Sequence, residues 1–122
     1  MNRFPPKTIL YVTLALCGSF RPLAFADDEV SFNRTIRPLL AAKCLACHGP
    51  DEVERKADLR LDIRESAVDS GAIVPENLDE SELLRRIFSG DPDEKMPPPD
   101  SGESLTDEQK EQLRRWIAQG AK

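Results

Sequence analysis

The stretch Cys44-Leu45-Ala46-Cys47-His48 sets two thiols and an imidazole within a few residues of one another. C-x-x-C-H is the pattern through which a haem c is attached. The spacing suits the chemistry. Two cysteines a helical turn apart reach the two vinyl groups on one porphyrin edge, and the histidine that follows is carried under the ring to the iron. Two other uses of such cysteines compete with this one. A thioredoxin-like redox pair needs a βαβ setting, and no such pattern surrounds these residues. A structural zinc site needs four Cys or His ligands. Beyond Cys17, near the N-terminus, the chain offers only Cys44, Cys47 and His48.

A six-coordinate iron needs a second axial ligand. No second histidine exists, and Met96 is the only methionine apart from Met1. It stands in Lys95-Met96-Pro97-Pro98-Pro99, where the prolines stiffen the loop around the sulfur. A thioether is an established haem ligand that raises the potential; the competing use of a methionine is simple packing. Lys95 is the next candidate. The carbonyl of Pro50, just past His48, is a candidate acceptor for the His48 Nδ1–H, the usual restraint on a ligating imidazole. Leu59 and Leu61 are candidate walls of the haem pocket, a role close to ordinary core packing. Arg60 and Arg64 are candidates for the propionates, although solvation is the commoner fate of an arginine.

The segments on either side read as helices joined by long loops. Ser31 is a candidate N-cap. Phe32, Ile36, Leu39, Leu40 and Leu45 follow helical spacing, with Pro38 interrupting, so the expectation is a short first turn and then a helix from about Pro38 to Cys47. Leu59, Leu61 and Ile63 alternate with Arg60 and Asp62 but have no partner strand, which favours a loop. A helix is expected over Asp79–Ser89, with Asp79 and Glu82 at capping-box spacing and Leu83, Leu84, Ile87 and Phe88 as its apolar face. Pro92, Pro97, Pro98 and Pro99 exclude regular structure over Asp91–Gly102. Thr106-Asp107-Glu108-Gln109 is a capping box opening a last helix, whose buried stripe is Leu113, Trp116 and Ile117 and whose stop is Gly120. Three to four helices with long loops are unusual unless something central organises them.

Arg3 and Lys7, the largely apolar run Thr8–Phe20 and Ala24-Phe25-Ala26 form a secretory leader pattern, with cleavage expected after Ala26. The run is short for a membrane span, so the membrane enters only if the leader stays uncleaved. Residues 27–122 are then one exported domain, destined for the periplasm or cell envelope. The chain is acidic, with a net charge of −5 at pH 7, and its leader holds Arg3, Lys7 and Arg21 but no acid. The domain beyond it is therefore more acidic still and has no basic stripe. This excludes nucleic acid as a natural partner and favours redox proteins with a basic docking face.

The ordered set Phe32-Asn33-Arg34-Thr35-Ile36-Arg37-Pro38-Leu39-Leu40, Cys44 to Pro50, Leu59-Arg60-Leu61-Asp62, Gly71-Ala72-Ile73-Val74-Pro75, Met96-Pro97-Pro98-Pro99 and Trp116-Ile117 resembles the planctomycete-type cytochrome c domain. The resemblance implies an all-α, class I cytochrome c-like fold around one covalent haem c, with His48 and Met96 on the iron. The short chain, and a Met96 that would close the iron to substrate, favour a one-electron transfer protein over a catalyst. In that family the domain typically opens a much longer protein. The alternative is therefore a haem electron-entry domain serving a larger oxidoreductase or degradative enzyme.

Overall fold

The computed structural model describes residues 28–122. The leader, its cleavage point and Cys17 lie outside the described residues. Within them the chain is helical and has no strand: a π-helical turn at Phe32–Ile36 is followed by α1 (Arg37–Lys43), α2 (Leu45–His48), α3 (Arg64–Asp69), α4 (Glu82–Phe88) and α5 (Asp107–Ala118). No helix among the described residues is long and apolar enough to cross a membrane.

Ser31 caps the first turn as expected, its hydroxyl accepting from the Arg34 N–H at 3.4 Å. As the spacing predicts, a short first turn is followed by a new helix that starts beside Pro38, at Arg37. Pro38 sits in the first turn of α1, where its missing N–H costs nothing. A further break falls at Cys44, whose φ of −129° and ψ of −40° divide the expected single helix into α1 and the four-residue α2.

Leu59, Leu61 and Ile63 lie in a loop. Helix α3, which carries no side-chain cap and one buried residue, Ala67, has only a weak signature in the sequence. Helix α4 starts at Glu82, later than the spacing suggests, so the Asp79–Glu82 capping box does not form. Ser81 explains this. It is fully buried, and its Oγ accepts from the Val74 N–H at 2.9 Å and donates to the Asn77 carbonyl at 2.7 Å. That holds Ser81 in extended backbone and leaves residues 77–80 as a turn. Phe88, expected inside, is 52% exposed because α4 ends there, and the Lys110 ammonium stands 5.9 Å from its ring centre.

The proline-rich segment contains a single 3-10 turn, Pro99–Ser101. Helix α5 realises its capping box in full: the Gln109 N–H donates to Thr106 Oγ1 at 3.2 Å and the Thr106 N–H to Gln109 Oε1 at 2.9 Å. Its stripe of Leu113, Trp116 and Ile117 is buried against α4 and the π turn, with the Phe32 and Trp116 rings 5.6 Å apart. Leu61, Leu83, Leu84 and Ile87 join Ile36, Leu39 and Leu40 in the same core. Burial of this apolar surface drives the packing. Its consequence for function is that α1, and the cysteine motif at its end, rest on a fixed platform.

Candidate haem-attachment site

Cys44 stands at the junction of α1 and α2. Its N–H continues the α1 ladder to the Leu40 carbonyl at 2.8 Å, and its own carbonyl receives the His48 N–H at 2.8 Å. Cys44, Cys47 and His48 therefore occupy one turn. Both cysteines are free thiols; Cys44 is half-buried against the core and Cys47 is exposed. Burial, helped by the nearby Cys47, pushes the Cys44 thiol up to about 11, so it stays protonated at neutral pH.

The His48 ring is fixed by a contact that the sequence reading misplaces. Its Nδ1 lies 3.2 Å from the carbonyl of Lys56, not that of Pro50, and Pro50 is exposed. The loop after the motif folds back through backbone bonds. The Lys56 N–H donates to the Cys47 carbonyl at 2.7 Å and the Leu61 N–H donates to the His48 carbonyl at 2.8 Å. With a carbonyl opposite Nδ1, the ring proton belongs on Nδ1, which leaves Nε2 with a free lone pair. Burial lowers the His48 pKa, and the Lys56 hydrogen bond opposes this only in part, so the neutral ring is favoured.

Leu61 is buried and Leu59 packs partly buried against the core, both in the loop that folds back on His48. Leu61 also lines an apolar cavity of about 170 Å³ with Phe32, Ala67, Ile73 and Trp116. The two arginines are engaged elsewhere. Arg60 forms a two-pronged pair with Asp62 at 3.1 and 2.6 Å, and Arg64 donates to the carbonyls of Ala121 and Gly120 at 3.1 and 3.3 Å.

Met96 is placed by a different device. Its N–H donates to the carbonyl of Arg86 near the end of α4 at 3.2 Å. Its side chain lines a second cavity, of about 150 Å³, with Pro97, Pro99, Leu105 and Glu103 among its walls. None of Cys44, Cys47 and His48 lines that cavity. An ion pair ties the two regions together: Lys43, the residue before Cys44, pairs with Glu103 at 2.5 Å across 60 positions of sequence. Nothing in the sequence marks that pair, because both residues read as ordinary surface charges.

The donor set fits a haem c. Two reduced thiols share a turn, the adjacent imidazole is oriented with Nε2 free, and apolar side chains line the ground behind it. It does not fit a metal cage, since among the described residues no three His, Cys, Asp or Glu side chains gather around a point. Residues 44–100 match the family model for planctomycete cytochrome C. No curated protein and no solved structure matches the chain. The segment that carries both thiols, His48 and Met96 is thus similar to a planctomycete-type cytochrome c domain, a likeness that supports a haem-binding, electron-transfer role.

Proposed function

We propose that this chain is a one-electron carrier of the periplasm or cell envelope, with a class I cytochrome c-like arrangement around one covalent haem c. Cys44 and Cys47 hold the haem, and His48 and Met96 take the two axial positions. The observation that carries the reading is the free thiol pair sharing a turn with an imidazole whose Nδ1 is already tied to a carbonyl. When bound, the haem supplies a one-electron Fe(III)/Fe(II) couple.

The chain's own residues supply attachment, orientation and charge. Exposed Cys47 is the more accessible thiol, while half-buried Cys44 fixes the attachment edge against the core. The leader pattern supports export. The acidic surface supports a redox partner with a basic docking face, which would steer encounter by long-range attraction.

Intact-mass measurement tests attachment and export together. Protein made in a host with haem-attachment machinery, exported and then denatured, should have the mass of residues 27–122 plus one haem. Cys44→Ser combined with Cys47→Ser should lose the haem. A denatured wild-type chain without haem mass would sink the reading.

A further inference from the structure

Residues Arg55 to Leu61 form a clasp around His48, and its conformation is unusual for the residues that build it. Ala57 and Asp58 have φ of 55° and 49°. Two consecutive non-glycine residues in the left-handed region are rare, and outliers that persist are held by their surroundings. Three contacts hold this pair. The Leu59 N–H donates to the Lys56 carbonyl at 3.1 Å and closes the turn. Arg55 Nε, on a side chain only 15% exposed, donates to Asp58 Oδ1 at 3.2 Å. The Lys56 N–H is fixed on the Cys47 carbonyl at 2.7 Å. With both central residues left-handed, as in a type I′ turn, the Lys56 carbonyl is presented to His48 Nδ1 while it still closes the turn.

We infer that the Ala57–Asp58 turn is a positioning device for the axial histidine, and that it sets the reduction potential of the bound haem by aiming the Lys56 carbonyl at His48 Nδ1. This rests on the haem reading above. The physical link is ligand basicity. A carbonyl accepting from Nδ1–H makes the imidazole a stronger donor at Nε2, and a stronger donor stabilises ferric over ferrous iron. Ala57 and Asp58 act only through the carbonyl, so neither needs to touch the haem.

Ala57→Pro tests the device. Proline fixes φ near −65°, which is incompatible with 55°, and none of the hydrogen bonds named here uses the Ala57 N–H. The variant should keep its haem and shift the ferric/ferrous equilibrium about tenfold toward ferrous, a rise of about 59 mV for one electron. Ala57→Gly should leave the potential at the wild-type value, because glycine adopts positive φ freely. The sign separates positioning from general loosening. A loosened site admits water and favours the more highly charged ferric state, so it would lower the potential. An unchanged or lowered potential in Ala57→Pro overturns the inference.

If Ala57→Pro yields no folded haem protein, NMR of the reduced wild type decides. The His48 Nδ1 proton should exchange slowly and show through-space contact to backbone protons of Lys56 or Ala57; a freely exchanging proton overturns the inference. A wild type without covalent haem overturns the function reading itself, and intact mass reports that before any potential is measured.

Discussion

Replacing Ser81 by alanine should destabilise the haem-loaded protein more than any substitution of an exposed serine. Ser81 is 0% exposed, and its hydroxyl joins the Val74 N–H at 2.9 Å to the Asn77 carbonyl at 2.7 Å. Alanine removes a single oxygen, so little cavity is created. What changes is that a part-buried N–H and a part-buried carbonyl lose their partner inside the protein. A buried polar group left unsatisfied costs about 1–3 kcal/mol, which puts the expected loss near 2 kcal/mol. Helix capping contributes nothing here, because Ser81 precedes α4 without a side-chain cap bond. For a domain of this size about 2 kcal/mol corresponds to a fall in melting temperature of roughly 10–15 °C. Urea unfolding followed by Trp116 fluorescence should show a lower midpoint at unchanged slope, since no additional surface is exposed. Ser101→Ala, at an exposed hydroxyl, should stay within about 0.5 kcal/mol. A Ser81→Ala loss below about 0.5 kcal/mol would refute the reasoning, because it would mean that Val74 and Asn77 satisfy themselves without Ser81.

Two further outcomes follow from the site and its surroundings. Met96→Ala should retain haem through Cys44 and Cys47, lose the weak long-wavelength ferric band of thioether ligation, lower the potential and bind carbon monoxide in the ferrous state; a wild type that already binds carbon monoxide readily would remove Met96 from the iron. Arg85 and Arg86, each hydrogen-bonded to Glu82, hold the Glu82 carboxyl down to about 2 from an ordinary 4.5. A depressed carboxylate contributes stability that is present above its unfolded pKa and is lost as pH falls through the folded one, here between about 4.5 and 2. With side chains 43–46% exposed, solvent limits the effect to about 1 kcal/mol or less. Wild type and Glu82→Gln should therefore converge in unfolding free energy across that window, and parallel profiles would refute it.

What the sequence made legible is local chemistry. The motif at Cys44–His48 and the capping box at Thr106–Gln109 are each complete within a few residues, so their types and spacing carry the information. What it hid is either long-range or made of backbone. The acceptor for His48 is a carbonyl, which every residue owns, so the composition of the loop could not distinguish Lys56 from Pro50. Arg64 was open to a propionate role because its partners, the Gly120 and Ala121 carbonyls, lie more than 50 positions away. Ser81 and α3 were missed for a related reason: the serine bonds to loop backbone and not to a side chain, and α3 buries only Ala67.

The two candidate axial ligands are held by unlike devices, and that difference decides which one yields first. His48 belongs to a turn of helix, and its ring is anchored through Nδ1. Both the carbonyl of Cys47 before it and its own carbonyl are bonded to the returning loop. Releasing it requires several backbone hydrogen bonds to open together, with the proposed haem links through Cys44 and Cys47 holding the same turn. Met96 is bonded through its backbone N–H to Arg86, in a loop joined to the cysteine side by the partly exposed Lys43–Glu103 pair and, only at its far end, by Leu105 in the core. Surface pairs of this kind contribute about 0–1 kcal/mol and weaken in salt. Disturbance by acid, salt or added ligands should therefore open the Met96 side while His48 stays on the iron. Ligand exchange, where it occurs, would then follow the stability of the loop from Lys95 to Ser104 and not that of the helical core.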